Sequence, residues 1–334
     1  MKPVPLAIIA ALACVPAVEG GRTCFPQLLT LGGRTSFPQV SSRGGQFSET
    51  AVDTSQDVVR TGDPYKRGYK DTDFPRIKKL AGNAYSYEQL RSAGTEKFTT
   101  VSLFVVTPAG VLVADGQGSV AETKRMVDEI GKITPQPITH VVIGSDHGDH
   151  TAGNAAFPAG VKYWVHPTSG DILKIEGAEI VPERTSINLG GTEIQIRFLG
   201  RAHTGGDLTV YLPKEKVLFM SEAFLNRIFP AMRSAYPSEW AAAITKAQKM
   251  DVDIYVPGHG FVDSPAVLKQ ELETFRRAIV QVIDEARRLR ASGLDAEAAA
   301  TQATFGDLET WSLRSSQGAT AIRRVYLELE GKLK

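Results

Sequence analysis

Four of the six histidines in this chain follow short hydrophobic stretches and lie among glycines. Their contexts are SDHGDHTAGN at residues 145–154, GRAHTGGD at 200–207 and VPGHG at 256–260. A histidine in a glycine-rich turn after a strand is poorly placed for core packing and well placed to point into a shared cleft. Because imidazole and carboxylate groups bind zinc, four such histidines with an aspartate beside two of them indicate a metal site.

The stretches between these motifs are short and rich in residues that favour β-structure. Residues 100–106 and 111–114 predict a hairpin, because a Pro-Ala-Gly turn joins them. A helix is expected over 119–130 with Ser119 as its N-cap. Further strands are predicted over 140–143, 161–165, 194–199, 208–212, 217–219 and 254–256, with a helix over 239–249. Short strands broken by helices predict a layered α/β domain with two sheets, over residues 71–263.

The first 20 residues have the pattern of an export signal: a lysine, an apolar run and then small residues. We therefore expect a periplasmic or secreted protein, the alternative being a buried first helix. The sequence ALAC at 11–14 departs from a lipoprotein box by one position, so lipid anchoring is not expected. Residues 21–70 are expected to be flexible and contain the repeat GGRTCFPQ and GGRTSFPQ, as a linker or a docking segment for a partner.

Residues 264–334 are expected to form a helical extension. Apolar residues at 268, 272, 275, 279, 282, 286 and 289 form one face of a long helix, and shorter helices are predicted near 295–303 and 317–333. This extension is expected to pack on the domain. The alternatives are that it covers the site or joins two copies in a homo-oligomer.

Charge and hydropathy exclude two classes of partner. The formal net charge is +1, which gives no electrostatic basis for binding nucleic acid. No apolar run approaches the roughly 20 residues that a membrane span requires. We therefore expect the partner to be a small-molecule substrate.

The order SDHGDH, GRAHTGG, LFMSEAF and VPGHG, preceded by VLVADGQG, resembles the metallo-β-lactamase superfamily over about residues 77–263. The resemblance implies an αββα sandwich with metal ions at one edge of two sheets, and a hydrolase. It implies one metal site of Asp149, His150 and His259, and another that includes His147 and His203. Ser145 stands where the third histidine is expected, and Glu222 replaces a bridging aspartate. Asp115 is expected to support the metal loop.

Both departures concern the same metal ion. A serine hydroxyl is a weak zinc ligand compared with imidazole. Glutamate reaches one methylene further than aspartate, so we hypothesise that Glu222 compensates for the missing histidine. The alternative is that Glu222 chelates the surviving metal alone. The expected cofactor is accordingly one or two zinc ions.

The resemblance implies that a zinc-bound hydroxide attacks an ester, lactone, thioester or amide carbonyl, β-lactams included. Asp149, His147 and His203 are the candidate catalytic residues, with Asp146 as a further base or a supporting residue beside Ser145. The alternative is a protein that kept the fold and binds a metal or ligand without turnover.

Four residues are candidates for substrate binding: Arg201, Arg227, Arg233 and Tyr236. Arginine beside aromatic side chains suits an anionic or amphipathic substrate. The alternative is an ordinary surface loop. His140 and His166 are expected to have structural roles.

Overall fold

Short strands build two β-sheets in the computed structural model, which describes residues 58–333. The first sheet contains, in order, β1 (Arg76–Ala81), β2 (Ala84–Ala93), β3 (Glu96–Thr107), β4 (Gly110–Ala114), β5 (Ile138–Val142), β6 (Lys162–Val165) and β7 (Glu179–Ile180). The second has the order β12-β11-β10-β9-β8, from β8 (Arg184–Leu189), β9 (Thr192–Phe198), β10 (Leu208–Leu212), β11 (Val217–Phe219) and β12 (Ile254–Val256). Pairing is antiparallel from β1 to β4 and from β8 to β11, and parallel from β4 to β7 and between β11 and β12.

Seven helices are found in the described part of the chain. They are α1 (Val120–Ile133), α2 (Gly148–Thr151), α3 (Pro167–Leu173), α4 (Pro237–Gln248), α5 (Pro265–Ala291), α6 (Ala296–Gln302) and α7 (Arg314–Leu329). Local chemistry explains where several begin. The side chains of Ser119, Ser264 and Asp295 accept hydrogen bonds from the first turns of α1, α5 and α6.

Both faces of the first sheet are buried, which creates the layers. Leu103 of β3 lies in the core cluster shared with the second sheet, while its neighbour Phe104 lies with Met126 of α1 in a separate cluster. On the other side of the molecule, Trp240 of α4 and Phe275 of α5 are fully buried in the core that includes the second sheet. The predicted αββα sandwich is therefore confirmed.

The predicted hairpin, helices and strands are present, but β1, β2, β7 and β8 were not predicted. Strand β2 lacks an uninterrupted apolar run because it buries Glu88. The Glu88 carboxylate accepts a 2.7 Å hydrogen bond from the Val262 amide and lies 3.4 Å from the Arg76 guanidinium. These partners are distant in sequence, so local composition does not reveal the strand.

The prediction of a flexible segment is wrong for residues 58–70. Arg67 forms a bidentate ion pair with Asp263, and both side chains are nearly fully buried. Arg60 lies 2.8 Å from the buried carboxylate of Glu271. These ion pairs fix the segment to the domain. The predicted signal peptide, the GGRT repeat and the rest of the segment predicted as flexible lie outside the described residues.

The apolar face of α5 packs within the chain, as expected. Its buried residues include Leu268, Phe275 and Val282, which join the core with α4 and α7. The two later helices cover 296–302 and 314–329, close to the predicted ranges. Among residues 58–333, no helix combines the length and the apolar character that crossing a bilayer requires.

Candidate metal centre

The predicted ligands follow the carboxyl ends of strands from both sheets. Asp115 follows β4, residues 145–150 follow β5, His203 follows β9, Glu222 follows β11 and His259 follows β12. In α/β folds, functional loops gather at the carboxyl ends of parallel strands. The two sheets therefore supply one site together.

The first ligand cluster consists of Asp149, His150, Glu222 and His259. The Nε2 atom of His259 lies 3.2 Å from Asp149 Oδ2 and 3.2 Å from Glu222 Oε1. It also lies 3.3 Å from the Nε2 atom of His150. The structure thus brings together the three ligands predicted for the intact site and adds Glu222 to them.

The second ligand cluster consists of His147, His203 and the same Glu222. His147 Nδ1 lies 2.9 Å from His203 Nε2 and 3.1 Å from Glu222 Oε2. Glu222 Oε1 lies 3.1 Å from His203 Nε2. A single carboxylate therefore belongs to both clusters.

Ser145 faces this shared carboxylate. The side chain is fully buried, and its hydroxyl donates a 2.5 Å hydrogen bond to Glu222 Oε2. The two positions that depart from the superfamily pattern are therefore direct partners. Ser145 thus orients the carboxylate that both clusters share.

The outer nitrogens of two histidines show that the clusters fit a metal ion. His150 Nδ1 lies 3.1 Å from the Asp115 carboxylate, and His259 Nδ1 lies 2.9 Å from the Thr99 carbonyl oxygen. Acceptors at these positions favour a proton on Nδ1, which leaves the Nε2 lone pair for a ligand bond. Imidazole lone pairs facing carboxylate oxygens form the donor set that zinc prefers.

Asp115 holds the loop that carries these ligands. One carboxylate oxygen accepts a hydrogen bond from the Gly144 amide, and the other accepts a 2.5 Å bond from the Ser221 hydroxyl. Gly144 permits this close approach, because a Cβ atom there would lie 2.6 Å from Ser221 Cβ. Asp115 therefore contacts His150 and also connects the segments that follow β4, β5 and β11.

The buried carboxylates and imidazoles shift each other's pKa values. Burial by itself lowers the pKa of His147 and His259, but the carboxylates raise them to about 9 and about 10. For His147 the carboxylate is mainly Glu222, and for His259 it is Asp149 together with Glu222. Burial by itself raises the pKa of Glu222, but His203, His150 and His147 hold it well below its usual range. The carboxylates are therefore ionised and suited to bind a cation.

The predicted proton acceptors differ in what their atoms contact. Both ring nitrogens of His147 are engaged, since Nε2 lies 3.3 Å from the Ser234 hydroxyl. This geometry does not support His147 as a free base. Asp146 lies outside both clusters and accepts a 2.9 Å bond from Ser169. Asp149 is the most exposed ligand, with 26% of its side chain accessible.

Arg233 and Tyr236 lie within two residues of Ser234, which contacts His147, whereas Arg227, in the same loop, contacts the buried Glu271. Arg201 stacks over the Tyr236 ring at 4.0 Å and pairs with Glu239. Arg233 is exposed beside Ser234. The guanidinium of Arg227 instead forms two hydrogen bonds with the buried Glu271, so its role is structural.

His140 and His166 have local partners, as predicted. His166 accepts a hydrogen bond from the Thr168 amide and stacks on Phe198, while His140 stacks on Trp164. The residues that contact site side chains without having been predicted include Thr99, Ser221 and Ser234. Ser221 adjoins Glu222 in LFMSEAF, but the other two carry no local signal.

Comparison with known proteins agrees with this geometry. The family model described as the metallo-beta-lactamase superfamily matches residues 100–259. A metallo-beta-lactamase type 2 from Elizabethkingia meningoseptica is 25% identical over 200 residues, covering 57% of this chain and 80% of the relative. The structure of a metallo-beta-lactamase from Pontibacter korlensis has a TM-score of 0.55 and 19% identity, over 60% of this chain and 98% of that one.

A second kind of structural relative extends further along the chain. The inverting sec-alkylsulfatase Pisa1 from Pseudomonas sp. has a TM-score of 0.61 and 14% identity, over 75% of this chain and 50% of that one. At this identity the likeness concerns the fold. The motifs, the two sheets and the family match agree, and residues 100–259 form a metallo-beta-lactamase superfamily domain.

Proposed function

We propose that the protein is a hydrolase that binds two zinc ions, one at each ligand cluster, with Glu222 as a ligand of both. The observation that carries this proposal is the position of Glu222, whose carboxylate lies within 3.2 Å of nitrogens from His147, His203 and His259. When bound, zinc lowers the pKa of a water molecule and polarises the oxygen of the bond to be cleaved.

The chain's own residues then have separate tasks. Asp115 and the Thr99 carbonyl orient His150 and His259 through their outer nitrogens. Ser145 orients Glu222. Asp149 reaches the solvent edge of the site, so we assign it the acceptance of the proton from the attacking water at its Oδ1 atom. A positioned acceptor of this kind typically contributes about 10²- to 10⁴-fold to a rate.

The substrate class follows from the chemistry and from the relatives. Esters, lactones, thioesters and amides all suit a zinc-activated water. The names of the relatives add β-lactams and secondary alkyl sulfates to the substrates worth testing. A substrate with an anionic group is favoured by Arg233 and Tyr236, which lie within two residues of Ser234, the contact of His147. Arg201, which stacks on Tyr236, favours it as well.

The test is hydrolysis by the purified full chain across these classes, before and after chelation. We expect turnover of at least one class, lost on chelation and restored by zinc. Asp149→Asn should abolish it, whereas Asp128→Asn, an exposed carboxylate on α1, should not. Turnover that survives both chelation and Asp149→Asn would refute the proposal. Zinc uptake without hydrolysis of any class would favour the alternative of a metal-binding protein without turnover.

We also propose that the protein acts in the periplasm or outside the cell. The support is the signal-like sequence of residues 1–20. When the full chain is expressed, cell fractionation should find the protein outside the cytoplasm, and a variant without residues 2–20 should remain inside. Equal distribution of the two would contradict export.

A further inference from the structure

Ser234 contacts the outer nitrogen of a predicted metal ligand. His147 directs Nδ1 toward Glu222 and His203, and its Nε2 atom lies 3.3 Å from Ser234 Oγ. An imidazole that binds metal through Nδ1 carries its proton on Nε2 and is oriented by an acceptor there. Ser234 thus orients His147, as Asp115 orients His150 and the Thr99 carbonyl orients His259.

The C-terminal helix α7 holds the loop that carries Ser234. The Arg324 guanidinium donates a 2.5 Å hydrogen bond to the Ala235 carbonyl and a 3.1 Å bond to the Ser234 carbonyl. One turn later, Glu328 accepts bonds of 3.0 Å and 2.8 Å from the amide and hydroxyl of Ser238. Two side chains of α7 therefore fix both ends of the segment 234–238.

Helix α7 is itself anchored at points remote from the metal clusters. Glu96, the first residue of β3, accepts a 2.8 Å bond from the Leu313 amide at the start of the helix. Near the other end, the Tyr326 hydroxyl donates to the Leu294 carbonyl at 3.0 Å. Ile322 and Val325 are fully buried in the core. The helix is a fixed support for the loop.

From these contacts we propose that the C-terminal extension is part of the metal centre, with Arg324 and Ser234 as positioning residues that hold His147 in its ligand orientation. This inference rests on the proposed zinc binding. It predicts that the His147–His203–Glu222 cluster depends on α7, whereas the cluster containing Asp149 does not.

The test measures the two zinc affinities separately, by competition with a chromophoric chelator. Ser234→Ala and Arg324→Gln should each weaken the His147 cluster about 10- to 100-fold, the usual effect of losing an outer partner of a ligand. The affinity of the Asp149 cluster should change less than about threefold. Ser234→Thr keeps a hydroxyl and should restore binding. Arg323→Gln also changes α7, but it removes only an exposed ion pair with Glu297 of α6 and should match the wild type.

A spectroscopic measurement distinguishes a specific loss of His147 positioning from a general loosening of the metal centre. In the zinc-loaded, ¹⁵N-histidine-labelled protein, the His147 ring N–H signal should exchange faster with water in Ser234→Ala and Arg324→Gln, while that of His259 stays unchanged. If Arg324→Gln does not fold, Arg324→Lys serves, because it keeps the charge and loses the paired donors.

The outcomes distinguish this inference from the proposed function. If the wild type binds no zinc at the His147 cluster, the proposed function fails in that part and this inference fails with it. If the wild type binds two zinc ions and both variants bind them equally well, the inference alone is overturned. Equal weakening of both clusters would show a structural role only and would also overturn it.

Discussion

At the residue scale, Ser145 and Glu222 act as a pair. The hydroxyl donates a 2.5 Å hydrogen bond to a carboxylate that is almost fully buried. A hydrogen bond to an ionised acceptor is stronger than one between neutral groups, so it fixes the carboxylate well. The longer glutamate reaches both clusters from this position. The substitution of histidine by serine is therefore compatible with a second metal ion.

Removing the Ser145 hydroxyl tests this pairing. Ser145→Ala should lower zinc affinity at the His147–His203–Glu222 cluster about 10- to 100-fold, since the shared carboxylate loses its orienting partner. Ser186→Ala, at an exposed position of β8, is the matched control and should have no effect. Chelator competition measures both. If Ser145→Ala leaves the zinc affinity of the His147–His203–Glu222 cluster unchanged, Glu222 does not need the hydroxyl for its orientation.

The raised pKa values predict that zinc binding releases protons. Without metal, His147 and His259 have pKa values of about 9 and about 10, so both are protonated at pH 8. Zinc binds the neutral imidazole, so loading at pH 8 should release at least about two protons, because the pKa of the ligand His150 is raised as well, and affinity should rise with pH. Calorimetry in buffers of different ionisation enthalpy counts the protons. A binding heat that does not depend on the buffer would contradict this.

At the element scale, periodicity predicted α5 and the central strands because their apolar faces are local in sequence. The histidine ligands and Asp149 were predicted because they lie in glycine-containing turns at strand ends, whereas Glu222 was predicted only from the family resemblance. The sequence did not predict strand β2 or the ordered residues 58–70, because polar groups in both form contacts with residues far along the chain. Arg67, for example, pairs with Asp263. Thr99 contributes only a carbonyl oxygen, which every residue has, so no sequence pattern could indicate it.

The Arg67 ion pair predicts that the domain begins before residue 70. Arg67→Ala leaves the buried Asp263 without its cation and should lower the free energy of unfolding by about 3 kcal/mol. Lys124→Ala breaks an exposed pair on α1 and should cost less than about 0.5 kcal/mol. Urea unfolding of the two variants provides the comparison. Equal stabilities would mean that residues 58–70 do not support the domain.

At the scale of the whole molecule, the two ligand clusters draw their residues from both sheets. Asp149, His150 and His147 follow a strand of the first sheet, whereas His203, Glu222 and His259 follow strands of the second. A ligand that binds only the folded state stabilises it in proportion to its affinity and concentration. Zinc should therefore stabilise the sandwich as a unit.

Thermal unfolding tests this connection between the sheets. We expect chelation to lower the melting temperature of the wild type by several degrees and zinc to restore it, because about 1 kcal/mol corresponds to a few degrees in a chain of this size. The shift should be much smaller in Asp149→Asn, while Asp128→Asn should behave as the wild type. If chelation leaves the melting temperature of the wild type unchanged, a metal does not join the two sheets.

The central claim is that Glu222 serves two metal sites, and the zinc content of the protein tests it most directly. Elemental mass spectrometry on the zinc-loaded, desalted full chain should find about two zinc ions per chain. Asp149→Asn should reduce this number, and Asp128→Asn should leave it unchanged. One zinc ion per chain in the wild type would contradict the shared carboxylate, and none would contradict the metal centre altogether.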